Sequence, residues 1–198
     1  MKGLDQIRFG VAVLLTGFGP PAVLFWVAVH PLARVWRRAG YWWGYAAGLA
    51  PSIVTVALSL RFRGDIARTD LGANPVLFAC GLVLLGVAVA IRRLWQRQLT
   101  TGTMLGLPEL APTKYPGRLL TDGIYARVRH PRYLQMAVAM AGWALLANHL
   151  AGYLVVVVVV AELAIVIPLE ERELAERFGA EYEAYRQRVP ALLPRLRP

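Results

Sequence analysis

Five apolar stretches govern what this chain can become: residues 9–31, 41–60, 75–91, 133–148 and 150–169. A helix that crosses the hydrocarbon core of a bilayer needs about 20 residues. Each stretch reaches or approaches that length with few charges. The six valines at 155–160 have the composition of a strand in water. A lone strand in lipid leaves its backbone unpaired, so a helix is expected there too. The expected fold is all-α, a multi-pass transmembrane helical bundle of about five spans. Residues 1–92 carry the first three spans. Residues 93–198 carry a long polar loop, a helical hairpin and an amphipathic C-terminal segment, and the whole forms one structural domain.

Composition decides between two readings of the charge. The chain holds 22 Lys and Arg against 12 Asp and Glu, yet it is 57% hydrophobic. A strongly basic soluble chain would suggest a nucleic-acid partner. Here the basic residues border the apolar runs, so they mark membrane topology and no nucleic-acid partner is expected. Trp26, Trp36, Trp42, Trp43 and Trp95 stand near segment ends, where indoles suit the membrane interface. The single cysteine, Cys80, rules out an internal disulfide and a cysteine zinc site; it reads as a small packing residue. His30 reads as a helix-end residue and His149 as an interfacial one. Neither has neighbours of metal-ligand type, so no metal is expected.

With five spans, one side of the membrane carries five Lys and Arg and the other carries 17. The basic side, with the loop 92–132 and the C-terminus, is expected to be cytoplasmic. Lys2 and Arg8 disagree, since they fall on the other side. The sequence GFGPP at 17–21 offers one way out, by breaking the first segment into a re-entrant hairpin. No small-residue cleavage site follows the first apolar run, so a removed signal peptide is not expected. A composition rich in Ala, Val, Leu and Arg points to a GC-rich prokaryote, so a prokaryotic inner membrane is the expected location.

The last two spans are joined only by Asn148, His149 and Leu150, which forces a tight antiparallel hairpin. Its open ends must therefore meet at the cytoplasmic face. One begins RHPRY (129–133); the other continues PLEERELAERFGAEYEAYRQRVPALLP (168–194). Arg129, His130 and Tyr133 then approach Glu170 and Glu171 from about 40 residues away. Pro131 suits the first turn of a helix, whose N-terminus favours an anion. An anion grip beside two carboxylates suits a zwitterion such as an amino-acid moiety. Arginines at a membrane boundary are ordinarily topological anchors, which is the plain reading of Arg127 and Arg132. Glu162 lies deeper, inside VVVVVVAELAIVIP. An acid at that depth is either bonded to a neighbouring helix or lines a cavity that receives a cationic group.

The run LLTDGIYARVRHPRY, one helical hairpin, and EERELAERFGAEYEAYRQRVPALLP together resemble the isoprenylcysteine carboxyl methyltransferase family, which is grouped with the integral-membrane phospholipid N-methyltransferases. The resemblance covers residues 119–194 and rests on Gly123, Tyr125, RHPxY and EExxLxxxFGxEYxxYxxxVPxxxP. It implies an S-adenosylmethionine-dependent methyltransferase acting on a lipophilic substrate taken from the bilayer. The C-terminal segment would close the cofactor pocket. His130, Pro131, Tyr133, Tyr125, Glu170 and Glu171 would hold the cofactor, and Arg129 would brace the carboxylates or meet the cofactor carboxylate. Arg129, Glu171 and Glu162 are the expected catalytic residues. Phe178, Tyr182 and Tyr185 would pack the tail over the pocket.

Two positions depart from the family pattern. Gln135 stands where a glycine often follows RHPxY, and Val166 stands where carboxylate-methylating members carry an arginine. The second departure, with Glu162, favours a lipid amine over a prenylcysteine carboxylate as acceptor. The alternative enzyme is an NADPH-dependent membrane reductase of the sterol or steroid type, which shares an RHPxY-like stretch but lacks the glutamate pair. A non-enzymatic membrane scaffold is the third reading.

Overall fold

A computed structural model describes residues 2–30, 32–66, 68–111 and 113–194. Pro31, expected to end the first apolar segment, and Arg195 and Arg197 of the basic tail lie outside the described residues. In chain order the helices are α1 Lys2–Val29, α2 Ala33–Ala39, α3 Tyr41–Arg61, α4 Arg63–Ile66, α5 Pro75–Gln96, α6 Thr101–Met104, α7 Leu107–Leu110, α8 Pro131–Ala147, α9 Leu150–Phe178 and α10 Ala180–Arg188. A 3-10 turn at Gly123–Ala126 precedes α8. The boundary expected at 92/93 falls inside α5.

Among the described residues, four helices are long and apolar enough to cross a membrane: Gly3–Val27, Tyr41–Arg61, Pro75–Gln96 and Leu150–Phe178. With α8, whose 17 residues span about 25 Å, they make the expected bundle. Its outward face is apolar: Val76, Phe78, Leu82, Val83 and Val87 of α5 are all exposed. That pattern suits hydrocarbon rather than water. Cys80 is also exposed on α5, not packed as expected.

The re-entrant break considered at 17–21 does not form; α1 runs straight through Pro20 and Pro21. The two prolines leave carbonyls one turn earlier without their helical donors. The Ser59 hydroxyl of α3 donates to one of them, Thr16 O, at 3.3 Å. A hydroxyl from a neighbouring helix thus keeps the backbone satisfied in lipid.

Packing follows two seams. α1 lies against α3 and α9, and α5 lies against α8. In the second seam a Cβ on Gly81 would stand 2.8 Å from Gly142 O, and one on Gly142 would stand 3.0 Å from Gly81 O. The helix backbones touch there, as small residues permit in membranes. The hairpin turns at Asn148, whose φ of 46° is left-handed, a conformation asparagine tolerates better than most. α9 is 29 residues long, about 43 Å. It outruns a hydrocarbon core of about 30 Å, so Glu170 and Glu171 emerge at the membrane boundary.

A clasp closes the turn end of the hairpin. Arg8, only 3% exposed, donates from Nε to Ala147 O at 3.0 Å and from Nη2 to Asn148 O at 3.4 Å. It also pairs with Asp70. His149 is buried in the same cluster, 3.8 Å from Asp70, rather than merely interfacial. Arg8 is therefore a structural brace.

Candidate active site

The open end of the hairpin meets as the short link requires. The backbone N–H groups of Arg129 and His130 donate to Pro190 O and Ala191 O, each at 2.9 Å. The VP segment after α10 is thereby stitched to the entry of α8. Arg129 anchors this join through its side chain too. Its Nε donates to Glu171 Oε1 at 2.9 Å, and its Nη1 donates to Arg186 O at 3.1 Å and to Val189 O. His130 Nε2 is 3.1 Å from the same Glu171 oxygen. Arg129 and Glu171 are therefore consumed by each other and by the tail.

Glu170 is placed differently. Its Oε2 lies 3.9 Å from His130 Nδ1 and 3.8 Å from His30 Nε2. That oxygen is buried with no hydrogen-bond partner of its own among the described residues, although Tyr133 hydrogen-bonds the same carboxylate. It faces a cleft with two adjoining lobes that share Leu99, Thr103, Tyr125, Arg129, His130 and Glu170. The inner lobe, about 80 Å³, adds Trp26, His30, Pro131, Arg132 and Tyr133. The outer lobe, about 110 Å³, adds Arg118, Phe178, Tyr182 and Tyr185. The tail packs over it as expected, with Tyr182 fully buried and Tyr185 and Val189 beside it. Tyr185 donates its hydroxyl to Tyr125 O at 2.7 Å.

The electrostatics follow from burial. Burial, opposed by Glu170, lowers the His30 pKa below its ordinary 6.5, so the ring is neutral at pH 7. Burial and the nearby glutamates raise the Tyr125 and Tyr182 phenols, which stay protonated. Gly123 belongs to the motif for a local reason. Its φ is +58°, and a Cβ there would sit 2.5 Å from Gln98 Nε2. That side chain holds Asp122 O at 3.1 Å.

Of the expected site residues, Arg129, His130, Pro131, Tyr133, Tyr125 and Glu170 line the cleft together. Glu171 stands behind it as the anchor of Arg129. Glu162 lines neither lobe; it is 9% exposed within the bundle, and its Oε2 has no partner among the described residues. Gln135 also lines neither lobe, and Val166 is fully buried in the core. Several cleft residues lie outside the expected set, Leu99, Thr103, Arg118, Trp26 and His30 among them, and Arg132, read as a topological anchor, lines the inner lobe. His30 and Trp26 stack with ring centroids 5.2 Å apart, and Arg132 lies over Trp26 at 5.1 Å. For Trp26 and His30 the sequence signal was their i, i+4 spacing on one helix face.

The architecture is that of an integral membrane protein with a polar cleft at the membrane boundary, opened between the ends of a helical hairpin. Residues 75–181, over half of the chain, match the phospholipid methyltransferase family, and the chain belongs to it. It is 40% identical over 76 residues to methanethiol S-methyltransferase 2 of Bradyrhizobium diazoefficiens, covering 38% of this chain and 29% of that protein. It is 40% identical over 77 residues to protein-S-isoprenylcysteine O-methyltransferase of Schizosaccharomyces pombe, covering 38% and 33%. A longer match, 30% identical over 146 residues, joins it to the cobalt-zinc-cadmium resistance protein CzcN of Cupriavidus metallidurans, covering 73% and 61%. The chain thus spans a third or less of the first two relatives. No solved structure matches it. Methyltransferase names in the family and among these relatives favour a methyl donor over the NADPH reading.

Proposed function

We propose that the protein is a membrane methyltransferase that binds S-adenosylmethionine in the two-lobed cleft and methylates a lipophilic acceptor. The unpartnered Glu170 oxygen carries this reading. It is a buried acceptor, set between two imidazoles and facing a space lined by arginines, and it suits the ammonium of a methionine moiety. Arg132 and the N-terminus of α8 suit the carboxylate. The aromatic outer lobe suits the remainder. The sulfonium cofactor supplies an already activated methyl group, so the protein's work is alignment and exclusion of water. Tyr182 and Tyr185 cover the cleft. Arg129 and Glu171 act as positioning residues that hold the tail against α8. With the basic side cytoplasmic, the cleft opens towards the cytoplasm and its supply of methyl donor.

The acceptor is a lipid amine in this reading. Glu162 lies eight residues before Glu170, about 12 Å deeper along the helix. Because Glu162 lines neither lobe, its carboxylate acts in this reading on the approach from the bilayer, where it attracts a cationic head group and takes the proton before the amine moves up into the cleft. A carboxylate acceptor would be repelled. The test is transfer of labelled methyl groups to an aminophospholipid and to a prenylcysteine analogue. Wild type should prefer the amine, and Glu162→Gln should lose most turnover while still binding S-adenosylhomocysteine. Preference for the carboxylate, or full activity in the variant, would contradict the assignment of Glu162.

A further inference from the structure

A second polar cavity of about 290 Å³ lies between α2 and α9, on the far side of His30 from the cleft. Its charged lining is Arg34 and Arg37 from α2, with Arg172, Glu173 and Glu176 from α9. Arg34 Nη2 reaches Glu176 Oε1 at 2.7 Å, and Arg37 Nη2 reaches Glu173 Oε1 at 2.9 Å. Arg172 makes no hydrogen bond or ion pair among the described residues. Arg177 also approaches Glu173, at 3.5 Å, so arginines outnumber glutamates around the cavity.

Two further observations say what would satisfy it. Glu173 is buried, 7% exposed, and its Oε2 has no hydrogen-bond partner among the described residues. A ligand that settles here must offer a hydrogen-bond donor as well as an anion. The cavity also stands where the apolar runs of α1 and α9 end. On the segment that carries Arg34 and Arg37 and runs on into α3, Leu32 and Val35 are exposed, and Trp42 and Trp43 at the start of α3 are 70% and 65% exposed. Exposed indoles and apolar side chains close in sequence to a basic pocket suit the head-group layer of a bilayer.

We propose that the α2–α9 cavity is a lipid-binding site, distinct from the methyl-transfer cleft, for an anionic glycerophospholipid. The phosphodiester meets Arg34, Arg37 and Arg172, and a hydroxyl on the head group donates to Glu173 Oε2. The negative charge of such a lipid complements a cavity in which arginines outnumber glutamates. A zwitterionic choline lipid brings no net charge and no donor. Arginine suits this role because its planar fork binds phosphate oxygens in pairs.

The test uses the full-length protein in a neutral detergent, with bound lipid counted by native mass spectrometry. Phosphatidylglycerol, phosphatidylcholine and soluble glycerol 3-phosphate are the probes. Phosphatidylglycerol should be retained at least about tenfold better than phosphatidylcholine, the effect of one charge-assisted contact. Glycerol 3-phosphate should compete poorly. The Arg34→Gln/Arg172→Gln double variant changes two exposed side chains outside the cleft. It should lose the preference yet bind S-adenosylhomocysteine as wild type does. Equal retention of the two lipids, an unchanged preference in the double variant, or equally strong competition by soluble phosphate would overturn the proposal.

Discussion

The two ends of the α8–α9 hairpin are both polar, both partly buried, and built for opposite ends. At the turn, the Arg8 guanidinium is spent on Ala147 O, Asn148 O and Asp70. At the open end, Arg129 and Glu171 satisfy one another, but Glu170 Oε2 is left over beside two histidines. A buried polar atom without a partner costs about 1–3 kcal/mol. At the turn end the polar atoms of Arg8 have partners. Where an unpartnered atom persists in a cleft, a ligand is the natural partner. The contrast separates residues that hold the hairpin from the one that faces outward.

The largest effect should come where holding and binding overlap. Arg129→Ala strands the partly buried Glu171 and frees the tail, at a cost of about 3–5 kcal/mol. Thermal melting in detergent should fall sharply, and S-adenosylhomocysteine binding should vanish with it. The double change Arg129→Met/Glu171→Leu should recover much of the melting temperature but not the binding. Recovered binding would mean that the pair does not position the cleft.

At the turn, Arg8→Ala removes charge-assisted bonds to two carbonyls, at about 2 kcal/mol. Asp70 is 41% exposed, so solvent takes over part of its charge. Melting should drop while S-adenosylhomocysteine affinity, measured well below the transition, stays put. A parallel loss of affinity would erase the distinction between the two ends.

Much of the open end was legible in the sequence, because a three-residue link leaves a hairpin no choice. The link dictated that RHPRY would meet the glutamate pair, and the Glu171–Arg129 contact is that pairing realised. The sequence did not separate the roles of Glu170 and Glu171. Adjacent helical residues point about 100° apart, so only the position of α8 decides which one Arg129 reaches. His30 was hidden for a similar reason: its place in the cleft depends on α1 lying across α9. Arg8 was misread as a topological charge because its partners sit about 60 and 140 residues away.

The smallest effect concerns pH. Burial lowers the His30 pKa in the folded state, so below about 6.5 the unfolded chain takes up more protons than the folded one. Stability from neutral His30 is fully present above that value and declines as pH falls below it. Melting at pH 5.5 should lie below that at pH 7.5, and His30→Gln should shrink the gap. An unchanged gap would place the titration elsewhere.

The central claim is that Glu170 is the outward-facing member of the glutamate pair and grips the methyl donor. Calorimetric titration of the detergent-purified protein with S-adenosylhomocysteine tests it directly, with NADPH as the control. Wild type should bind S-adenosylhomocysteine and not NADPH, and Glu170→Gln, which keeps the shape and loses the charge, should bind about tenfold or more weakly. Equal affinity in the variant, or binding of NADPH in place of S-adenosylhomocysteine, would contradict the account.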